Sequence, residues 1–207
     1  MTTFDPPPRR VHPIEIESYR IMRERADFGH FAPLSRAVVE RVVHTTADPS
    51  WTGEVVTTEA AVRAGRRALL DGAALITDVR MVAVGITSRE PLVALDLPGV
   101  AAEDGLTRSA AGIRAAAERH PDGAVWAIGN APTALAELLR LAEAGAVRPA
   151  LVVGVPVGFV GAVAAKAALR RSGLPGVSTL TERGGAAIAA AAVNALLYWR
   201  ENQEEDR

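Results

Sequence analysis

Cysteine is absent from all 207 residues, and that gap removes a disulfide framework, a thiol nucleophile and any thiolate metal site. It fits a reducing cytoplasm, the compartment expected for this chain. An excess of charge of either sign is missing too. The 23 Lys and Arg nearly balance 24 Asp and Glu, leaving a net charge of -1, so the broad basic footprint of a nucleic-acid binder is lacking. No apolar run reaches the ~18 residues of a membrane span before Gly, Pro or a charge interrupts it. Residues 1–11, with Pro6 to Pro8 and two arginines, lack an apolar core of signal-peptide length and read as a tail. Among the 4 histidines, His12, His30, His44 and His120, no pair has metal-ligand spacing. Phosphate loops are missing as well, since neither G-x-x-x-x-G-K-[ST] nor G-x-G-x-x-G occurs.

What remains is the composition of a packed globular protein, 49% hydrophobic and 23% charged. A chain of this length buries roughly 70% of its unfolded surface without a staple. One domain over 12–200 is expected, followed by a polar tail at 201–207.

Two helical patterns open the chain. The first sets Ile14, Tyr19, Ile21 and Met22 among Glu15, Glu17, Arg20 and Arg23. The second, with Ser35 as its expected cap, aligns Leu34, Val38, Val39 and Val42 in an apolar stripe that ends near His44. Asp48-Pro49 marks a turn in a loose stretch to Gly53, and Thr57 or Thr58 is expected to cap a helix running to Asp71. From Gly72 onward short apolar runs alternate with amphipathic ones. Strands are expected at 73–77, 92–97, 124–128, 150–153 and 177–180, and helices near 79–84, 108–119, 132–144, 160–171 and 185–199. This alternation predicts an α/β fold: a three-layer α/β/α sandwich around a parallel sheet of about five strands, with extra N-terminal helices.

In an open parallel sheet, ligands bind beyond the carboxyl ends of the strands. Three connections there share a glycine-rich make-up: Gly129-Asn130-Ala131-Pro132-Thr133, Gly154 to Gly161, and Thr181-Glu182-Arg183-Gly184-Gly185. Glycine permits tight turns and proline suits the first turn of a helix, so each junction can offer backbone N–H groups to a carboxylate at a positive helix end. Loops of this kind also occur in sandwiches that bind nothing there.

At these loops the chain resembles a known family. Ala127-Ile128-Gly129-Asn130-Ala131-Pro132-Thr133-Ala134-Leu135 resembles the AIGNAPTAL segment of the precorrin-8X methylmutases, which include cobalt-precorrin-8 enzymes. Gly154 to Ala162 is similar to the family's GxPVGFVGA segment, Thr107 to Ala111 to its NTRSAA segment, and Met81 to Thr87 to its MVAxGIT segment. Arg41-Val42-Val43-His44 resembles the RM[VI]H stretch that carries the family's catalytic histidine. The matches keep family order from about residue 12 to residue 199.

The resemblance implies a flavodoxin-like fold and a homodimer whose active sites lie near the subunit interface. It also implies a [1,5]-sigmatropic shift that needs no cofactor and no metal. A methyl group moves from carbon 11 to carbon 12 of the macrocycle, turning precorrin-8X into hydrogenobyrinic acid, or the cobalt form into cobyrinic acid. The partners are then the tetrapyrrole substrate and product, with no nucleic acid and no membrane.

By the same resemblance His44 is the proton donor, with Ser18 matching a family serine near it. Histidine suits that role because its pKa near neutrality lets it give and recover a proton. Glu40, one helical turn earlier, is placed to favour the imidazolium form. The plainer alternative is a helix-end histidine facing terminal carbonyls. Arg108 is expected to grip substrate carboxylates in a bidentate fashion, and Thr87 to donate from its hydroxyl. Asn130, Pro132, Thr133, Pro156, Gly158, Phe159, Lys166, Gly184 and Gly185 complete the expected substrate-binding set. Phe159 packs on the macrocycle, within its own loop or in the core. Arg20 and Arg23 read as solvated, and His12, His30 and His120 as surface or boundary residues.

Some positions depart from the family pattern. Its x-E-S-K stretch is Val163-Ala164-Ala165-Lys166 here, the serine of G-R-x-G-G-S is Ala186, and its Thr-Arg is Thr87-Ser88, with Arg89 next. These losses motivate an alternative, a carrier that holds a tetrapyrrole without turning it over. A flavin or nucleotide domain of the same topology is a third reading, which leaves the loop sequences unexplained.

Overall fold

The computed structural model describes residues 11–102 and 105–200; most of the tail expected at 1–11, and all of that at 201–207, lies outside the described residues. Two helices lead. In α1 (Pro13–Arg25) proline occupies the first turn, where no N–H is needed, and the His12 side chain caps the helix by accepting the Ile14 N–H at 3.2 Å. α2 (Pro33–Thr46) buries Leu34, Val38, Val39, Val42 and Val43 and ends at Ala47, whose φ of 52° is left-handed. Ser35 is not its cap, contrary to the sequence reading. Pro33 begins the helix, and the Glu59 carboxylate accepts the Leu34 and Ser35 N–H groups and the Ser35 hydroxyl. An acid from another helix thus meets the positive end of α2. Glu59 itself opens α3 (Glu59–Leu70), which Thr58 caps by accepting the Ala61 N–H at 3.2 Å.

Before α3 lies a strand that the sequence reading lacks. β1 (Val55–Thr57) runs antiparallel to β6 (Gly176–Thr179) at the sheet edge. The other strands, β2 (Leu75–Thr77), β3 (Leu92–Val93), β4 (Val125–Ile128) and β5 (Leu151–Gly154), pair in parallel with one another and with β6. The order across the sheet is β1-β6-β5-β4-β2-β3. The strand expected over 92–97 stops at Val93, and Ala94–Asp96 coil into a 3-10 turn against the next helix. There a side chain at Gly112 would stand 2.8 Å from the Ala94 carbonyl oxygen, so the close approach requires glycine. The remaining helices, α4 (Arg80–Val84), α5 (Arg108–Arg119), α6 (Pro132–Glu143), α7 (Ala162–Arg171) and α8 (Ala186–Tyr198), match the expected spans to within two residues.

The pleat of the central strands divides the core. Val125, Ala127, Leu151 and Val153 join side chains of α2, α3 and α8 in one cluster, while Trp126, Ile128 and Val152 join those of α5, α6 and α7 in another. Burial on both sides explains why β4 and β5 read as unbroken apolar runs rather than alternating ones. The chain leaves β2 for β3 on one side and returns to β4 on the other, so strand order reverses between β2 and β4. That reversal opens a crevice at the carboxyl ends of the strands.

Candidate functional site

α1 crosses α2 so that Glu15, Ser18 and Tyr19, spaced to share one helical face, meet Arg41 and His44. Ser18 Oγ lies 3.1 Å from His44 Nδ1. The Tyr19 ring stacks on the imidazole with centroids 4.7 Å apart and planes inclined by 18°. Arg41 donates to Glu15 at 2.9 Å and to the Tyr19 hydroxyl at 3.3 Å. Glu15, Ser18, Arg41 and His44 border an open cleft of about 680 Å³, whose other walls include His12, Gly85, Ala187, Ala190, Ala191 and Asn194. The small residues let α4 and α8 close together, since a side chain at Gly85 would stand 2.6 Å from Ala190 Cβ. Asn194 ties the two segments by accepting the Thr87 N–H at 3.2 Å and donating to the Gly85 carbonyl at 2.7 Å. The Thr87 hydroxyl lies 3.0 Å from that of Tyr198.

Glu40 is placed differently from the expectation. Arg23 grips it with bonds of 2.9 and 2.7 Å, and Arg36 adds one of 2.8 Å. Burial pushes the Glu40 carboxyl up, but the arginine bonds outweigh it and hold the group below the usual carboxylate range. The bonds that hold it come from arginines on α1 and α2. Arg23, read as solvated, is half of a partly buried pair and lies over the Tyr19 ring, 5.6 Å from its centroid.

A second group of expected residues gathers at the carboxyl ends of the strands. Asp78, directly after β2, accepts N–H bonds from Gly129 at 3.2 Å and from Asn130 and Ala131 at 2.9 Å each. Burial pushes its carboxyl up against the pull of those N–H groups. The protein's own acid therefore occupies the N–H cradle that the Gly129–Ala131 junction was expected to offer a ligand, although the Asn130 side chain remains exposed. Thr133 and Thr107, at the starts of α6 and α5, join their hydroxyls at 2.8 Å, and Arg108 stands exposed in the first turn beside them.

The other two loops interlock. Gly158 donates its N–H to Glu182 O at 3.1 Å, and Gly185 donates to Val155 O at 2.9 Å. Gly184 passes so close that a Cβ there would lie 2.2 Å from Val155 O. Pro156 is buried, whereas Phe159 is 93% exposed and so packs within neither the core nor its own loop. Lys166, the chain's only lysine, is fully buried. Its ammonium donates to Thr179 Oγ1 at 2.9 Å, to Arg183 O at 2.8 Å and to Thr181 O. It thus holds this loop from beneath.

Within one chain the structure joins His44, Ser18 and, through Asn194, Thr87 at the cleft. Arg108 accompanies Thr133, while Pro156, Gly158, Gly184 and Gly185 lie above Lys166. Sequence reasoning passed over Tyr19, Arg41, Asp78 and Asn194. Asp78 had a visible signal, an acid directly after an apolar strand, and Asn194 had another, an amide inside an otherwise apolar helix. Among the described residues no group of three or more His, Asp or Glu is placed to hold a metal ion, and no helix is long and apolar enough to cross a membrane.

Fold and site define an α/β protein that sets a histidine, held by a serine and an aromatic ring, on an open cleft. The chain belongs to the precorrin-8X methylmutase family, whose model matches residues 13–199. It is 42% identical over 196 residues to a precorrin-8X methylmutase of Pseudomonas aeruginosa, covering 89% of this chain and 94% of the relative. With a cobalt-precorrin-8 methylmutase of Methanocaldococcus jannaschii it shares 38% identity over 179 residues, 85% of each chain. The solved precorrin-8X methylmutase of Thermus thermophilus superposes with a TM-score of 0.80 at 37% identity, covering 90% of this chain and 96% of that one.

Proposed function

We propose that the chain is an isomerase of cobalamin biosynthesis that moves a methyl group from carbon 11 to carbon 12 of precorrin-8X, or of its cobalt form, with His44 as proton donor. Family membership supports the reaction. The observation that carries the role of His44 is its Nδ1 contact with Ser18 at the mouth of the cleft. The serine oxygen can accept from Nδ1–H both in the imidazolium and in the neutral ring left when Nε2 gives up its proton, so one contact serves both protonation states. In this reading Nε2 carries the exchanged proton. Protonating the conjugated macrocycle draws electrons from the carbon bearing the methyl. The methyl then migrates with its bonding pair, and the proton returns to His44, so the step is atom-balanced without a cofactor.

Arg108, with the Asn130 amide and the Thr133 hydroxyl, is assigned to the substrate's carboxylates, while Gly158, Gly184 and Gly185, whose loops are bonded to each other, shape the floor beside them. Thr87 is assigned a hydroxyl contact, Pro156 and Phe159 packing contacts, and Lys166 a place beneath the loop. Phe159, Val160, Val84 and Met81 are 93, 89, 82 and 68% exposed. Apolar side chains left open to this degree support a homodimer that covers them. The parallel strands, taken alone, run in the order 2-1-3-4-5 once renumbered along the chain, which supports a flavodoxin-like three-layer sandwich. Residues 12–200 then act as one domain, in the cytoplasm. The test is to mix purified protein with precorrin-8X, without metal or cofactor, and with the cobalt form in parallel. Conversion to the hydrogenobyrinic or cobyrinic acid spectrum supports the proposal, and absence of both conversions rejects it.

A further inference from the structure

Two ion pairs converge on a single tyrosine ring behind the proposed proton donor. On one side Glu40, itself held by Arg36, anchors Arg23, and Arg23 lies over the face of the Tyr19 ring at 5.6 Å. At the edge Glu15 anchors Arg41, whose guanidinium donates to the Tyr19 hydroxyl at 3.3 Å. Both arginines are mostly buried, at 23 and 17% side-chain exposure. The His44 ring stacks on Tyr19 at 4.7 Å and 18° from parallel. A neutral tyrosine alone needs none of this support, because a half-buried phenol is stable with water at its hydroxyl. Two arginine–carboxylate pairs spent on one ring fix that ring's plane and height, and the stack passes the constraint to the imidazole.

We infer that Tyr19 is a positioning residue for His44. Ser18 holds the Nδ1 edge of the imidazole, and Tyr19 holds its plane. A five-membered ring tethered only at one edge still swings about its Cβ–Cγ bond, which is a broad torsion. Stacking removes that swing and keeps the proton-bearing nitrogen on a fixed line into the cleft. The arrangement also gives Glu40 and Arg23 an indirect role, as the anchor of the ring on which His44 rests. This inference rests on the proposed role of His44, but its structural part can be measured without substrate.

The experiment uses Tyr19→Leu and Tyr19→Phe, with two readouts. Nitrogen-15 spectra of histidine-labelled protein, assigned with His44→Gln, report the tautomer of the neutral His44 ring. Steady-state assays separate kcat from KM. Wild type should show one tautomer, and Tyr19→Leu an averaged pair. In Tyr19→Leu kcat should fall about tenfold to a hundredfold, with KM within about threefold, because misplacing a reacting group affects the step and not binding. Tyr19→Phe keeps the stack and loses only the hydroxyl contact, so it should restore the single tautomer and all but about fivefold of kcat. Should Tyr19→Leu fail to fold, Arg23→Gln and Arg41→Gln, which loosen the ring without removing it, should shift the tautomer in the same direction. A Tyr19→Leu protein with wild-type kcat and one tautomer overturns the inference. If the wild type turns over neither substrate yet its tautomer depends on Tyr19, the positioning stands and the proposed reaction falls.

Discussion

Lys166 gives the sharpest test of how burial competes with hydrogen bonding in this protein. Its ammonium is fully buried among three oxygen acceptors. A tetrahedral donor with three N–H groups suits that arrangement better than a planar guanidinium, which accounts for a lysine in a chain whose other 22 basic residues, 23 less this one, are arginines. Burial pulls its pKa from the ordinary 10.5 down to about 8. Between those values an unfolded chain keeps the proton that the folded chain has lost, so stability rises with pH across that window. At 1.36 kcal/mol per pH unit the gap amounts to roughly 3 kcal/mol. Urea unfolding of wild type and Lys166→Met at pH 7.5, 9 and 10.5 should show the two free energies diverging in favour of wild type by about that amount. Because the chain has a single lysine, carbon-13 labelling at lysine Cε gives one side-chain resonance, expected to titrate near 8. A midpoint at or above 10.5 with parallel stability curves would refute the reasoning, and would mean that three acceptors outweigh burial.

Two further substitutions test the loops. Gly184→Ala places a Cβ 2.2 Å from Val155 O and also threatens the Gly185 bond to the same oxygen. It should cost about 3 kcal/mol and lower Tm by roughly 6–12 °C, and an unchanged melting curve would contradict the close approach. Asp78→Ala strands three N–H groups that now share one carboxylate. A loss of about 2–4 kcal/mol in chemical denaturation is expected, and a loss below about 1 kcal/mol would mean that water replaces the acid without penalty.

Much of this architecture could be read locally, because the signals that set it are local. Thr107 and Pro132 mark the starts of α5 and α6 in sequence and in space, and the apolar runs of β4 and β5 reflect burial on both faces. Reading failed where the deciding partner is distant. Ser35 looks like a cap, but the cap of α2 is Glu59, 24 residues beyond it. β1 has three residues and exists only because β6 lies beside it, 120 residues or more along the chain, as the Thr57–Val177 to Val55–Thr179 register shows. The same distinction holds for the site. His44 carried a motif, whereas the ring stacked on it comes from another helix and had only an amphipathic stripe to announce it. Lys166 reads as a substrate-binding residue from its place in a motif, and its burial instead depends on the loop folded over it. Phe159 is open in sequence to the macrocycle, its own loop or the core, and its 93% exposure removes the two internal readings.

The most direct measurement follows the migrating carbon itself. Precorrin-8X labelled with carbon-13 in the carbon-11 methyl group is incubated with wild type and with His44→Ala, and the methyl resonance is followed by NMR. Wild type should move the label to the carbon-12 position without metal or cofactor, and His44→Ala should slow that transfer by about a hundredfold to ten-thousandfold, the range for losing a general acid. A label that stays on carbon 11 in the wild type, for this substrate and for its cobalt form, or that moves equally fast without His44, would contradict the assignment.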